Sequence, residues 1–365
     1  MTKTTKKKNP SPLRSIPILS LPDELLLSCF ARVSRSQYPT LSLVSKRFRS
    51  LLSSPELYKA RSLSGHTESC LYICLWSSPG YRWFKKTTNG YVLAKVPVRF
   101  SPPHSARFWG LVAVGSNIYN IGSRSDYEAY SSTVSVLDCR THTWREAPSL
   151  PVELTSISAS VLDQKIYVAG LCEYGGSVLQ VFDTKTQTWD LSPPPPPEEG
   201  EFCASRSACI DGKFHVVTSK KKVVAYNAKG GCRWEVNGKE MGRYMRSDCY
   251  CEIENVLYSV LNGYFRWFDT EEGLWRDLKG LVGLPEFPPG APIRLADYGG
   301  KMAVLWEEKV VYEHSFKSRT IVWCAEISIE RRPKSCEIWG IVDWFDRLLQ
   351  VPLVNDLVKV LVVTL

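Results

Sequence analysis

The chain has 365 residues, of which 44% are hydrophobic, so it can bury the core of a large repeat domain together with a small module. This content excludes a disordered chain, and an aromatic fraction of 12% favours stacked β-sheets. The formal net charge is +9, and a contribution of +5 comes from the polar N-terminus: Lys3, Lys6, Lys7, Lys8 and Arg14. The rest of the chain has no dense basic block, which argues against nucleic acid as a partner.

Residues 1–16 are predicted to form a disordered basic tail, since they are polar and contain no apolar segment typical of a secretory signal. The lysines at 6–8 are either part of a nuclear import signal or ordinary charges of a solvated tail. No apolar stretch reaches the ~20 residues that cross a bilayer, so no membrane partner is expected. We therefore expect a protein of the cytoplasm, the nucleus or both.

Twelve cysteines and five histidines are scattered along the chain without the spacing of a zinc site. Thiols of a chain without a signal peptide stay in a reducing compartment, and we interpret them as buried. No phosphate-binding loop, nucleophile elbow or helical metal-ligand pair is present. The sequence therefore predicts no catalytic residue, no metal site and no cofactor.

Residues 17–62 are predicted to form a small helical module. Pro22 suits the first position of a helix, and the acids that follow it suit the first turn. A second helix is predicted to follow Pro39, and a third to begin at Ser54. A module of this size buries too little surface to be comfortably stable alone, so its many leucines pack either on another protein or on the β domain of the same chain.

Three segments of this module resemble the F-box: Leu21-Pro22-Asp23-Glu24-Leu25-Leu26, residues 38–51, and Ser54-Pro55-Glu56-Leu57-Tyr58. They closely resemble the version of the F-box found in the plant F-box/kelch-repeat family. This resemblance implies docking on a Skp-type adaptor and, through it, on a cullin and a RING subunit. It implicates eight residues: Leu21, Pro22, Leu25, Leu26, Leu43, Val44, Lys46 and Phe48. Because Leu43 and Val44 are neighbours on a predicted helix, both cannot face outwards, so some of the eight must hold the core of the module.

The remainder of the chain contains an internal repeat. A tryptophan follows an aspartate after six residues in three places: Asp138 to Trp144, Asp183 to Trp189, and Asp269 to Trp275. The tryptophans at 144, 189, 234 and 275 are 45, 45 and 41 residues apart, and Trp323 continues the series after 48. This period is typical of a four-stranded propeller blade, in which tryptophan fills the space between blades.

Six pairs of inner strands are predicted near residues 110–121, 158–169, 207–217, 251–260, 293–305 and 338–351. Only five have outer strands after them, so residues 71–76 and 81–85 are predicted to supply the outer pair of the last blade, with Trp83 in the packing role. The expected domain is an all-β propeller of about six blades over residues 68–358, closed by strands within 71–85. Residues 359–365 have no clear place in it. The pattern resembles kelch repeats that have lost most of their double glycines.

Loops that enter a first strand share one face of such a propeller with loops that follow a second strand, so this face is the predicted client site. It carries Arg107, Arg124, Asp126, Arg206, Arg246 and Arg294. The arginines either grip an acidic or carboxylate-bearing client or are ordinary solvated loop residues.

The module and the propeller together predict a non-enzymatic substrate adaptor of an SCF-type (Skp–cullin–F-box) ubiquitin ligase, in which the propeller binds a client protein for ubiquitination. The alternative is a kelch propeller that acts as a scaffold, or binds a ligand, without engaging a ligase. The presence of Leu21, Pro22 and the segment from Leu43 to Phe48 favours the ligase adaptor.

Overall fold

The computed structural model describes residues 18–77, 80–86, 93–96, 110–122, 130–190, 196, 199–246, 249–288, 290–311, 318–352 and 356–365. The chain divides into two compact units, and the boundary falls between Thr67 and Glu68. The first unit is helical, and the second consists of β-sheets. The predicted disordered tail, residues 1–16, lies outside the described residues.

The described part of the first unit contains four α-helices: α1 (Asp23–Ala31), α2 (Tyr38–Leu41), α3 (Lys46–Leu52) and α4 (Pro55–Leu63). The predicted second helix is divided in two, because a turn at residues 42–44 separates α2 from α3. Ser45 is the N-cap of α3, and its Oγ accepts a hydrogen bond from the backbone N–H of Phe48 at 3.1 Å. Ser54 caps α4 in the same way, through the N–H of Leu57 at 3.4 Å.

The helical unit has a small apolar core of its own, formed by Leu26, Phe30, Phe48, Leu52 and Leu57. The rings of Phe30 and Phe48 meet edge to face, with centroids 4.8 Å apart. These side chains come from α1, α3 and α4, each of which is too short to be stable in isolation. The three helices therefore depend on one another for their stability.

The described part of the second unit contains six four-stranded antiparallel sheets, the blades of a β-propeller. From the innermost strand outwards, blade 1 consists of β24 (Asp356–Thr364), β1 (Ser69–Ser77), β2 (Gly80–Lys86) and β3 (Leu93–Lys95), and blade 2 of β4 (Leu111–Val114), β5 (Asn117–Ile121), β6 (Val134–Asp138) and β7 (Thr143–Glu146). Blade 3 consists of β8 (Thr155–Leu162), β9 (Lys165–Leu171), β10 (Ser177–Asp183) and β11 (Thr188–Asp190), and blade 4 of β12 (Phe202–Ile210), β13 (Lys213–Thr218), β14 (Val223–Asn227) and β15 (Arg233–Asn237). Blade 5 consists of β16 (Tyr250–Ile253), β17 (Val256–Leu261), β18 (Tyr264–Asp269) and β19 (Leu274–Asp277), and blade 6 of β20 (Arg294–Asp297), β21 (Met302–Val311), β22 (Ser318–Arg332) and β23 (Glu337–Pro352).

Blade 1 closes the ring with strands from both ends of the β unit. Strand β24 pairs with β1 along its length, and the backbones of Glu68 and Leu365 exchange hydrogen bonds of 2.8 and 2.9 Å. The sequence indicated no place for residues 359–365. Residues 359–364 belong to the innermost strand of this blade, and Leu365 follows that strand. The segments 71–76 and 81–85 lie in β1 and β2, so the prediction that they form the outer pair of a blade was wrong: they are its second and third strands, and β3 is the outermost.

The prediction that residues 338–351 form an inner strand pair was wrong. They lie within β23, the outermost strand of blade 6, which pairs with β22 in one long hairpin. The strand is as apolar as an inner strand, yet Ile341 and Phe345 on it are 52% and 42% exposed. Hydrophobicity alone therefore cannot distinguish an inner strand from an apolar edge strand.

The tryptophans of the repeat lie on the fourth strands of blades 2 to 5, as predicted: Trp144, Trp189, Trp234 and Trp275. Each of the last three packs on an aromatic side chain of the third strand, with ring centroids 4.9 to 5.3 Å apart. Trp323 does not continue the series, because it lies on β22, the third strand of blade 6. Its ring stacks on Trp306, with centroids 6.2 Å apart.

The aspartates of the repeat end the third strands and organise the turns that follow. Oδ1 of Asp183 accepts hydrogen bonds from the backbone N–H groups of Lys185 at 2.9 Å and Thr186 at 3.2 Å. These hydrogen bonds lower the pKa of Asp183. Asp269 forms the equivalent pair of bonds in blade 5. Blades 3 and 5 therefore share the hydrogen bonds of this turn as well as the position of the tryptophan that follows it.

Candidate functional site

The first candidate surface lies on the helical unit, where the Leu21-Pro22 segment meets α3. Nε of Arg47 donates to Oδ1 of Asp23 at 2.8 Å, and Nη2 of Arg47 donates to the carbonyl oxygen of Leu21 at 2.7 Å. One guanidinium thus binds both a carboxylate and the backbone next to Pro22. These bonds bring the two segments that resemble the Skp-binding part of an F-box together on one unit.

Five of the eight predicted Skp-binding residues are exposed: Pro22, Leu25, Leu43, Val44 and Lys46. Leu43 is 77% exposed, and Leu25 and Val44 are each 53% exposed. Large aliphatic side chains that are exposed on a small unit are candidates for contact with another protein. The surface of the helical unit can therefore offer apolar contacts to another protein.

The remaining three predicted residues contribute to the core. Leu26 and Phe48 are buried, and Leu21 is half-buried against them. The expectation that Leu43 and Val44 cannot both face outwards was wrong, because residues 42–44 form a turn instead of a helix. In this turn both side chains point towards solvent.

The second candidate surface lies on the entry face of the propeller. We give this name to the face that carries the loops into each first strand and the loops between second and third strands. Between blades 4 and 5 the entry face has a basic pocket of about 520 Å³. Five cations and one carboxylate line it: Arg206, Lys221, Lys239, Arg243, Arg246 and Glu240. These six described residues carry a net charge of +4, which favours an anionic ligand.

Arg206 and Arg246, two of the predicted client residues, have different roles in the basic pocket. Nε of Arg206 donates to the carbonyl of Met245 at 2.7 Å, and Nη2 donates to the carbonyl of Gly242 at 2.6 Å. Arg206 thus attaches blade 4 to the loop that leads into blade 5. Arg246 is exposed, and its side chain has no hydrogen bond or ion pair with any residue in the described ranges.

Arg294 lies apart from the basic pocket, in the central channel, where innermost strands of all six blades line a cavity of about 410 Å³. Its Nη2 donates to the carbonyl of Leu357 at 3.4 Å. Glu252 lines the same cavity, and burial raises its pKa to about 7, with the charges of Asp297 and Asp211 adding to the effect. The other predicted client residues lie outside the described residues: Arg107, Arg124 and Asp126. The described arginines of the prediction therefore occupy two separate cavities.

A third feature, which the sequence did not indicate, is an apolar cleft of about 810 Å³ on the entry face of blades 5 and 6. Its walls are the turn at Asn262-Gly263 and residues 281–288 and 290–293 of the loop that faces it. Asn262 and Gly263 both have positive φ, at 52° and 79°, as a type I′ hairpin turn requires. Phe287 lies in the cleft wall, with its ring centroid 5.0 Å from that of Trp306. The Asn-Gly pair was the available signal, but it identifies a turn and not the loop that faces it.

Chemistry-bearing side chains are dispersed in the described part of the chain. No group of three or more His, Cys, Asp and Glu residues there could hold a metal ion, and no helix there is long and apolar enough to cross a membrane. All twelve cysteines are free thiols. The interpretation of the thiols as buried was wrong for Cys29, Cys232 and Cys336, which are exposed.

Comparison with known proteins identifies both units. Residues 18–60 match the F-box domain, and residues 72–349 match the FKB95 kelch-repeats domain. The chain is 52% identical to F-box/kelch-repeat protein At5g51250 of Arabidopsis thaliana, over 95% of this chain and 100% of that protein. It is 47% identical to F-box/kelch-repeat protein At4g39550 of the same plant, over 98% of this chain and 97% of that protein. The chain therefore belongs to the F-box/kelch-repeat protein family.

Proposed function

We propose that this protein is the substrate-recognition adaptor of an SCF-type ubiquitin ligase, with the F-box bound to a Skp-type adaptor and the propeller bound to a client protein. The observation that carries the proposal is the exposure of Leu25, Leu43 and Val44 on a unit that matches the F-box model. An interface core is formed by apolar side chains that lose water on binding. The family membership supports the same two-part architecture.

The adaptor has no catalytic residue of its own in this proposal. The Skp-type adaptor connects it to a cullin and a RING subunit, which carry the charged ubiquitin-conjugating enzyme. The propeller holds the client close to that enzyme, so the effective concentration of client lysines near the ubiquitin thioester rises. The rate gain is one of proximity and needs no acid–base group on the propeller.

The test is co-purification of the full chain with a plant Skp-type adaptor. Replacing Leu43→Glu and Val44→Glu together is expected to abolish co-purification, because two carboxylates would have to lose water in an apolar contact. Both side chains are exposed, so the double variant is expected to fold. The matched control is the double variant Tyr174→Glu with Val282→Glu, at propeller positions that are 94% and 87% exposed.

The wild-type chain and the control variant are expected to retain the Skp-type adaptor through gel filtration. If the wild-type chain fails to bind it, the ligase proposal is overturned. The family architecture would then serve as a kelch scaffold without ligase engagement. If the Leu43 and Val44 variant binds as well as wild type, the exposed apolar surface is not the docking site.

A further inference from the structure

The basic pocket and the apolar cleft share one loop, the connection between blades 4 and 5. Arg246 of this loop lines the pocket and Cys249 lines the cleft. The backbone N–H of Cys249 donates to the carbonyl of Arg246 at 2.9 Å. Oγ of Ser259 on β17 donates to the carbonyl of Tyr244 in the same loop at 2.7 Å. These bonds hold the two recesses side by side on the entry face.

Few acidic side chains among the described residues neutralise the positive charge of the basic pocket. Glu240 is the single carboxylate among its described lining residues, and it lies 3.6 Å from Arg243. Lys221, Lys239 and Arg246 are exposed, and their side chains form no hydrogen bond or ion pair with residues that the structure describes. Several unpaired cations around one recess match a ligand with more than one carboxylate.

An aromatic and cationic strip leads from the pocket to the cleft. The guanidinium carbons of Arg243 and Arg266 lie 5.4 and 4.7 Å from the ring centroid of Tyr244. Arg266 also lies 5.7 Å from the ring centroid of Tyr264, which lines the cleft. Asp277 fixes Arg266 through an ion pair of 3.3 Å. The strip offers flat rings and hydrogen-bond donors over which an extended peptide can pass.

The apolar cleft has the volume and the lining to receive a large side chain. Its walls include Leu261, Leu281 and Leu284, and the exposed ring of Tyr264 lies at its rim. Glu286 is the single charged residue among the described lining residues. A pocket of this composition selects an apolar or aromatic anchor.

We propose that the propeller recognises its client through an acidic peptide segment that also carries one large apolar side chain. The acidic residues bind in the basic pocket, the backbone crosses the strip at Tyr244, and the apolar side chain enters the cleft beside Tyr264. This inference rests on the proposed adaptor function and specifies the chemical class of client. Charge complementarity in the pocket and hydrophobic burial in the cleft act on one continuous ligand.

The experiment measures binding of synthetic peptides to the full chain by fluorescence anisotropy. Fluorescein-labelled peptides of about twelve residues carry four Asp or Glu residues and one Phe, separated by roughly two to six residues, or about 7 to 20 Å of extended chain. Two control peptides replace the Phe by Ala, or the acids by Asn and Gln. At least one spacing is expected to bind, and each control change is expected to weaken it about tenfold.

Protein variants test the two recesses separately. Arg243→Glu with Arg246→Glu is expected to weaken binding more than about tenfold, and Tyr264→Ala about fivefold. The charge control is Lys185→Glu with Lys334→Glu, two exposed lysines in turns between third and fourth strands, on the opposite face. The aromatic control is Tyr174→Ala, an exposed tyrosine on the entry face of blade 3. Both controls are expected to stay within about twofold of wild type.

Three outcomes overturn this inference. The first is that no peptide of the set binds. The second is that Tyr264→Ala and the Phe-to-Ala peptide bind as tightly as their parents. The third is that a twelve-nucleotide RNA competes as well as the best peptide at the same salt concentration, which would make the pocket a general anion site. Co-purification with the Skp-type adaptor is measured on the same variants, so failure of the client inference stays distinct from failure of the adaptor proposal.

Discussion

Neighbouring leucines in helix α1 of the F-box lie in opposite environments, whereas five successive residues of strand β1 in the propeller are all buried. Leu25 is exposed and Leu26 is buried, but every residue from Leu71 to Leu75 lies in the core. A helix in a small unit can cover only one face. A strand inside a closed ring of sheets has neighbours on both edges and both faces. Exposed apolar side chains of the F-box are thus available to a partner protein, whereas most apolar side chains of the propeller are buried and stabilise its fold.

The closing strand of the propeller is where we expect the largest effect. Val363 on β24 is fully buried, and Val363→Asp is expected to lower the free energy of unfolding by about 4 kcal/mol, because a carboxylate would enter the core. The neighbouring Thr364 is exposed, so Thr364→Asp is expected to cost less than about 0.5 kcal/mol. Urea unfolding followed by tryptophan fluorescence reports on the propeller, since every tryptophan lies at or after Trp76. Equal stability of the two variants would argue against β24 as an inner strand.

The leucine pair of α1 gives the next largest effect. Leu26→Ala is expected to destabilise the F-box by about 3 kcal/mol, because it leaves a cavity in a small core. Leu25→Ala is expected to change stability by less than about 0.5 kcal/mol and to weaken co-purification with the Skp-type adaptor. Urea unfolding followed by circular dichroism at 222 nm reports the helices. The opposite pattern would reverse the proposed assignment of the two leucines to interface and core.

Glu252, a half-buried carboxylate in the propeller channel, is expected to make stability depend on pH. The pKa of Glu252 is raised by burial to about 7 from its ordinary 4.5, so its contribution to stability is fully present below pH 4.5 and is lost as the pH rises through 7. A glutamine at this position cannot ionise. We therefore expect the difference in free energy of unfolding between Glu252→Gln and wild type to favour the variant by about 1 to 2 kcal/mol more at pH 8 than at pH 4.5.

The measurement is urea unfolding of both proteins from pH 4.5 to pH 8. His215 contributes a slope of the opposite sign, because burial lowers its pKa to about 4 and its stabilising effect is lost as the pH falls from its ordinary 6.5. This slope is common to both proteins, so their difference isolates Glu252. A difference that is independent of pH would show that Glu252 does not titrate in this window.

The smallest effect is expected at a turn that exists in the propeller and has no counterpart in the described F-box. Asp183→Ala removes the acceptor of two backbone N–H groups and is expected to lower the midpoint temperature of thermal unfolding by roughly 2 °C. Asp183→Asn keeps an acceptor oxygen and is expected to lower it by about half as much. Thermal unfolding of the three proteins distinguishes these outcomes. Equal losses would mean that charge, and not the hydrogen bonds, matters at this turn.

The sequence by itself determined the features that depend on short-range physics. Ser54 begins a helix because its hydroxyl satisfies a free N–H, and the Asp-to-Trp spacing marks the turn between third and fourth strands in blades 2, 3 and 5. These features involve residues within about one helical or hairpin turn of each other. The period of the tryptophans then indicated the four-stranded blade, whereas the number of blades came from counting inner strand pairs, one of which was misplaced.

Only the tertiary structure decided which distant segments meet. Ser69 pairs with Thr364 across the whole β unit, and the local pattern of β24 does not identify that partner. The basic pocket joins cations from one first strand, one hairpin loop and one connection between blades. Strand and helix periodicities specify which face of an element is apolar, but the partner of that face is selected by packing among all the elements. For this reason the sequence indicated Arg206 and Arg246 of the proposed client surface, but only the folded ring showed that Lys221, Lys239 and Arg243 line the same pocket.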